Sequence, residues 1–490
     1  MFILSLAALS LAANGLIGGG LPAKAPNAVG MSAGRLEAID RVVLRGIAEG
    51  GYPGAAVVVG RKGAAVLQKG YGTLGWTGGA HVSPSSSLYD LASLTKVVGT
   101  TAAAMVLYDQ GKLQLDAPVR RYVPGFSGGT KDQVTVRHLL LHRSGLPAGR
   151  DLWRIARTPA AARQAVLDSR LVCRPGACYE YSDLGADLLG FVVEAAAGEP
   201  LDRFLARSVF EPLGMTNTFF RPADSLRARI APTEIAPPRG YPLRGEVHDE
   251  NAYALGGVAG HAGLFSTAAD LAVFAQMMLN GGVYDSVRIV SEETVRTFTR
   301  RAAGSRALGW DTAEGGVGAG QYLTNGAYGH TGYTGTSMWI DPEREMFVIL
   351  LTNRVHAARA KRPAKVISDV RADLADAAAF AVVDMPTYYM ATPVSFRADR
   401  AIGWNEPTPV RSTAKARSAR SRAAANARAA KAKAAKAKAA RAKAAKAKAA
   451  KAKAARAKAA KARSARTAST RTAAARSASA SRARSSGASR

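Results

Sequence analysis

Cysteine is almost absent from this chain of 490 residues: only Cys173 and Cys178 occur, within LVCRPGACYEY. Covalent cross-linking can therefore supply one local link at most. The two flank Pro175-Gly176, a turn dipeptide that should fold the chain back and bring them near each other. In an oxidising compartment a disulfide is expected there, with two unlinked thiols as the alternative. Long apolar runs are also lacking beyond the N-terminus, so no later segment is expected to span a bilayer. Acidic residues are missing from 411–490, which hold 26 of the 67 Lys and Arg and no Asp or Glu. The remaining 41 basic residues face 36 acidic ones, so the formal charge of +31 belongs mostly to the C-terminal end. What precedes that end has an ordinary globular composition and is long enough to bury a large core.

The two termini read differently from this body. Residues 1–23 carry no charged side chain and are mostly apolar, so 1–25 reads as a secretory signal with its apolar region near Phe2–Ala13. A retained anchor is the other reading, although Gly18–Gly20 would make a poor membrane helix. Export places the protein in the periplasm or cell envelope. Residues 385–410 form a Pro-containing connector, and 411–490 an Ala/Lys/Arg-rich tail. Across 431–460 the tail repeats KAKAA or RAKAA. Five helical residues rotate by about 140°, so the cations spread around the axis and no membrane-binding face results. Such a tail resembles those of linker-histone-like proteins and is expected to bind an anionic polymer, of the envelope if exported or nucleic acid if not. A low-complexity expansion without a partner is the alternative.

Within 26–384, residues 35–49 suggest an amphipathic helix, and GAAVVVGRKGAAVLQKGYG two strands joined at Arg61-Lys62-Gly63. VVGTTAAAMVLYDQGKL reads as a buried helix ending at Gly111, followed by further helical segments. TSMWIDP and EMFVILLTN are β-rich runs separated by an Asp-Pro turn, and RPAKVISDVRADLADAAAF is a closing helix. Strands at both ends of the body with helices between imply an α/β (α+β) fold. It should hold a mixed, mainly antiparallel sheet flanked by helices plus an all-α lobe, with a site in the cleft between them.

The stretch DLASLTK puts Ser93 and Lys96 three residues apart, so a hydroxyl and an amine could meet on one helical face. A surface helix carrying both by chance is the alternative. As a nucleophile, Ser93 would need a proton acceptor, and burial could lower the pKa of Lys96 enough to serve. No G-x-S-x-G surrounds Ser93, so an α/β-hydrolase elbow is not indicated. Three motifs in order resemble the serine β-lactamase and penicillin-binding-protein superfamily, in its class C-like branch: Ser93-Leu94-Thr95-Lys96, Tyr181-Ser182-Asp183, and His330-Thr331-Gly332. VRHLLLHRSGLP, EPLGMTNT and GLFSTAADLAVFA are similar to that family too, and the likeness runs from about residue 35 to 380. The resemblance implies that Ser93 is the acylated nucleophile, that Lys96 and Tyr181 share its proton, and that the backbone N–H groups of Ser93 and Tyr333 form an oxyanion hole. It implies substrate contacts for Asp183, His330, Thr331 and Gly332, and no cofactor.

Two positions depart from the family pattern. His330 stands where many members have a lysine that clamps a substrate carboxylate, and Asp183 replaces the usual asparagine. Both lower the expectation of β-lactam hydrolysis. The run RGEVHDENAYALGGVAGHAGLFST, residues 244–267, resembles a narrower bacterial branch that processes cell-wall fragments. His248 and His261 in it are read as substrate contacts, with a structural role or a metal site as alternatives; the spacing matches no zinc pattern, and no metal is assigned. His142 reads as structural. The function expected is a serine hydrolase acting on cell-wall peptide or muropeptide amides, its partner a cell-wall fragment or small acyl substrate. A carboxylesterase or weak β-lactamase on the same scaffold is one alternative. A non-catalytic envelope- or polyanion-binding protein is the other.

Overall fold

The computed structural model describes residues 20–314, 318–356, 359–385, 396–399 and 403–407. The chain divides into two units, 1–407 and 408–490, the second wholly outside the described residues. The basic tail, and all of the expected signal segment but its last residues, lie outside the described residues. Among those last residues, Ala23 bridges to Ala65.

The body opens with helix α1 (Ala38–Ala48), whose Ile39, Val42 and Val43 are buried at the spacing of one helical face. Strands β1 (Gly54–Arg61) and β2 (Ala64–Gly72) follow as a hairpin. Lys62 and Gly63 at its tip both have positive φ, as a two-residue hairpin turn of this twist requires. Next come the short strand β3 (Tyr89–Asp90), a 3-10 turn (Ala92–Leu94), a π-wound turn (Thr95–Thr101) and helix α2 (Ala102–Asp109). The helical lobe continues with α3 (Val136–Leu140) and α4 (Asp183–Ala197). Strands β4 (Phe219–Phe220) and β5 (Leu264–Ser266) precede helix α5 (Ala268–Leu279). The chain then returns to the sheet through β6 (Asp311–Thr312), β7 (Tyr328–Thr331), β8 (Ser337–Asp341) and β9 (Met346–Thr352), and closes on α6 (Pro363–Phe380).

The main sheet has the order β2-β1-β9-β8-β7-β6, antiparallel at every pairing. Strand β1 is buried along its whole length, because both faces of the sheet are covered. Its side chains alternate between two cores. Ala55, Val57 and Val59 join the core that includes Val43 of α1 and Leu374 of α6. Ala56 and Val58 join the larger core that includes Leu188 of α4 and Phe274 of α5. Each fully buried valine contributes roughly 1.5–3 kcal/mol, so the continuous apolar run is what anchors the centre of the sheet. Phe396 and Trp404 are buried in the first of these cores, extending the packed body past residue 384.

A second sheet, ordered β3-β5-β4, was not anticipated from the sequence. Its strands of two or three residues are too short to show a period-2 pattern. It nevertheless ties the segment before Ser93 to the 244–267 loop through the pairs Tyr89 with Ser266 and Asp90 with Phe265.

Cys173 and Cys178 are joined in a disulfide. The turn they close is further held by bonds from the Gly176 N–H to the Arg143 carbonyl and from the Glu180 N–H to the His142 carbonyl. Closing so short a loop stabilises a fold by about 2 kcal/mol in the chain-entropy account. Reduction should therefore lower the unfolding free energy by about that amount in urea titrations, with the six-stranded sheet intact by circular dichroism.

Candidate active site

The nucleophile turn is built from a strained backbone and fixed acceptors. Ala92, just before Ser93, has φ of 47°, a conformation that costs a non-glycine residue about 1–3 kcal/mol and persists only when its surroundings enforce it. Asp90 provides that enforcement: its Oδ1 accepts the Ala92 N–H at 2.8 Å and its Oδ2 the His248 N–H at 2.7 Å. Thr334 Oγ1 donates to the Asp90 carbonyl at 2.7 Å and Thr336 Oγ1 to the Leu91 carbonyl at 2.9 Å, so the loop after β7 is bonded to the same turn. Gly332 is required there: a Cβ would lie 2.3 Å from the Leu91 carbonyl oxygen. Among the described residues, neither the Ser93 nor the Tyr333 N–H has a hydrogen-bond acceptor. That is the condition of a pair of donors open to an oxyanion.

No α-helix carries the Ser93–Lys96 pair: Ser93 sits in the 3-10 turn and Lys96 in the π-wound turn that follows it. Across the junction of the two turns Lys96 Nζ lies 3.0 Å from Ser93 Oγ. The ammonium is almost fully buried and has two further acceptors: the Asp183 carboxylate at 2.7 Å and the His261 carbonyl at 3.2 Å. Here the expectation from sequence is corrected. Burial does pull the Lys96 pKa down, but the adjacent Asp183 carboxylate and Tyr181 outweigh it, so the amine is held above its ordinary value. In the resting protein Lys96 is therefore a fixed cation and not a free base. Its Nζ lies 4.9 Å from the centroid of the Tyr181 ring.

Tyr181 follows the disulfide-closed turn and is enclosed by rings. His142 lies 4.5 Å away and His330 6.0 Å away between centroids. Burial holds His142 well below the usual histidine range, and its neutral Nδ1 accepts the Ser182 N–H at 3.1 Å. Ser182 in turn caps α4, accepting the Gly185 N–H, and thereby fixes Asp183 at the first turn. The role expected of His142 is thus a positioning one, exerted on the second motif itself.

His330 is buried in β7, opposite Met338. Burial, opposed by Asp311, lowers its pKa to about 4, so the imidazole is neutral at pH 7. Its Nδ1 is 2.8 Å from the Thr331 carbonyl, which makes Nδ1 the protonated nitrogen. The imidazole offers no charge with which to clamp a carboxylate. Thr331 is half-buried at the end of the same strand.

The two histidines of the 244–267 loop are both bound to carboxylates through their rings. His261 is 1% exposed, with Nδ1 2.6 Å from Asp187 and Nε2 2.8 Å from Asp249. Its own burial disfavours charge, yet the two carboxylates raise its pKa well above the ordinary value. Asp249 is correspondingly held below the usual carboxylate range despite its burial. The substrate contact expected of His261 is therefore replaced by a structural one. The ring is an imidazolium clamped between two carboxylates, and the carbonyl of the same residue faces Lys96. His248 Nε2 is 2.9 Å from Glu234, and its ring stacks on Tyr333 at 5.7 Å. It supports the Tyr333 loop through this stacking, with Nε2 committed to Glu234.

Three functional neighbours were missed by sequence reasoning. Asp90 and Asp187 are carboxylates buried in otherwise apolar segments, which is the signal that could have found them. Arg306 lies 6.0 Å from the Tyr181 ring and is paired with Asp311; the irregular segment around it leaves no periodic signature.

Replacing Asp183 by the asparagine usual at this position removes the charge that holds Lys96 protonated. Asp183→Asn should therefore lower the Lys96 pKa. In the pH dependence of p-nitrophenyl acetate hydrolysis, the alkaline inflection should move to lower pH by at least about one unit. An unmoved inflection would count against this account of the cation.

A family model described as "Beta-lactamase" matches residues 39–371. The chain is 33% identical over 409 residues to a protein of Escherichia coli strain K12 named "Putative D-alanyl-D-alanine carboxypeptidase", covering 73% of this chain and 91% of that one. A Salmonella newport protein of the same name is 33% identical over 378 residues, covering 69% and 87%. Among solved structures, a penicillin-binding-protein homologue from Caulobacter crescentus superposes with a TM-score of 0.58 at 23% identity, over 72% of this chain and 99% of that one. EstCE1, described as a hydrolase with promiscuous acyltransferase activity, gives 0.57 at 24% identity, over 69% and 98%. At such identities these two structures speak to the fold alone. The family match and the curated relatives agree with the three motifs and with the geometry around Ser93: the chain belongs to the β-lactamase and penicillin-binding-protein family of hydrolases.

Proposed function

We propose that the protein is a serine hydrolase that forms an acyl-enzyme on Ser93 and acts on cell-wall peptide or muropeptide amides. The observation that carries this reading is Ser93 Oγ at 3.0 Å from a lysine held as a cation beside Tyr181. Ser93 Oγ attacks the substrate carbonyl while its proton passes to the Tyr181 oxygen, beside the Lys96 ammonium. The carbonyl oxygen, now negative, accepts from the N–H groups of Ser93 and Tyr333. Collapse of the tetrahedral adduct expels the amine, which takes the proton from Tyr181. Water then attacks the acyl carbonyl as its proton passes to Tyr181, and collapse releases the acid and Ser93 Oγ, which takes that proton back. The relatives named as D-alanyl-D-alanine carboxypeptidases support a peptide substrate. The neutral His330 supports the second reading, an esterase on the same scaffold, because an ester needs no clamped carboxylate.

Digestion of muropeptides followed by mass spectrometry tests the choice. Ser93-dependent loss of an amino acid or peptide is expected, with Ser93→Ala inert and Tyr181→Phe slower by about 10²–10⁴-fold. Ester turnover with unchanged muropeptides would favour the esterase, and no Ser93-dependent reaction with either would reject the enzyme reading.

Export to the envelope is supported by the Cys173–Cys178 disulfide. The tail, with 26 cations in residues 411–490, is proposed to bind an anionic polymer by counterion release. Retention on immobilised anionic polymer should fall steeply between 50 and roughly 200 mM salt and be lost on deleting 411–490. Equal retention of the two forms would exclude it.

A further inference from the structure

A cavity of about 640 Å³ lies apart from the nucleophile: Ser93, Lys96, Tyr181, His330 and Tyr333 take no part in its lining. Three stretches of chain build its walls. The short helix Leu152–Ile155 and the residues after it bring Trp153 and Arg157, the 3-10 turn Asp224–Arg229 brings Arg227, and the 244–267 loop brings Arg244 and Tyr253. These walls are bonded to one another. Asn251 Oδ1 accepts the Leu152 N–H at 2.9 Å, and Arg227 donates to the Arg244 carbonyl at 2.9 Å. Asp249, which holds the His261 ring, also accepts the Asn251 and Ala252 N–H groups and so starts the helical turn that carries Tyr253.

The charge of the cavity is unbalanced. Four arginines line it against two carboxylates, Asp224 and Glu246. Arg221 is paired with Asp202 outside the lining, and Glu246 is taken up by the Tyr241 hydroxyl at 3.0 Å and by Arg239 at 3.5 Å. Arg227 and Arg244 use backbone carbonyls alone, Arg244 donating to those of Ile230 and Ala228. Arg157 is exposed and makes no hydrogen bond or ion pair among the described residues. Three guanidinium groups thus share one uncommitted carboxylate, Asp224. Burial and the neighbouring Arg227 lower the Arg244 pKa, as expected of like charges held together without an acid between them.

The same cavity presents two aromatic side chains, the half-buried Trp153 and Tyr253, which is 40% exposed. An inorganic anion would leave most of this volume empty. Rings beside planar cations suit a larger ligand, one with an apolar face to lie on an aromatic and an anionic edge to take paired N–H bonds. A sugar ring bearing an acid group has both.

We propose that this cavity is a second binding site, for an anionic saccharide carrying a carboxylate or a phosphate. The site is separate from the acylation chemistry and does not depend on Ser93 being reactive.

Calorimetric titration of the full chain at fixed ionic strength tests it, with N-acetylmuramic acid, N-acetylglucosamine 1-phosphate, neutral N-acetylglucosamine and inorganic phosphate as ligands. An acidic sugar should bind roughly tenfold or more tighter than the neutral one, and the two acids distinguish a carboxylate from a phosphate. Arg157→Gln/Arg227→Gln should abolish that preference and leave p-nitrophenyl acetate hydrolysis unchanged. Arg157→Gln alone, which has no partner within the protein to lose, should weaken the acidic sugar by about threefold or more. The cations of residues 411–490 are present in every form, so any affinity they contribute survives in the double variant. Equal binding of acidic and neutral sugars, or undiminished binding in the double variant, would overturn the assignment. So would inorganic phosphate binding as tightly as the acidic sugars.

Discussion

The site depends on a single buried ammonium. Lys96 is taken out of water, a change that by itself favours the neutral amine, and is kept charged by Asp183. Every neighbouring element contributes to holding it. The junction of the 3-10 and π-wound turns sets its distance from Ser93, α4 brings Asp183, and the 244–267 loop brings the His261 carbonyl. Removing one partner of such a buried pair leaves an uncompensated charge, so the elements are coupled through the lysine even where they do not touch.

The His261 clamp extends this logic one layer outward. Asp183 and Asp187 lie one turn apart on α4, and the first meets Lys96 while the second meets the His261 ring. Charges therefore alternate from Ser93 inward: lysine, aspartate, and then an imidazolium between two aspartates. Thr100 Oγ1, bonded to the Gly260 carbonyl at 2.7 Å, fixes the same loop to the helix that carries Lys96. An apolar filling of this volume would be simpler to stabilise, but it could not keep a cation beside the nucleophile.

Much of this was legible in the sequence, for identifiable reasons. The hairpin at Lys62-Gly63, the strands around Asp341-Pro342 and the closing helix all carried a clear period and turn chemistry. The three motifs could be placed because each is a short, ordered set of residues. The protonation state of Lys96 could not be read, because burial alone predicts the wrong direction and the deciding carboxylate is distant in sequence. The roles of His248 and His261 were hidden for the same reason: both ring partners of His261, and the Glu234 that holds His248, are fixed by tertiary contacts. The mini-sheet β3-β5-β4 was too short to announce itself, although it positions the nucleophile turn.

The pairing of β1 with β9 has a consequence for how the site comes into being. Val57 near the start of the body lies against Leu350 near its end, so the centre of the sheet is a contact between segments far apart in the chain. Contacts of such long range are costly in loop-closure entropy and form late. Strands β8 and β7 hang on β9, and the loop carrying the Tyr333 N–H hangs on them. A growing or partly folded chain can thus contain Ser93, Lys96 and Tyr181 before the Tyr333 loop is in place, so that the arrangement around Ser93 is complete only when the whole body has closed.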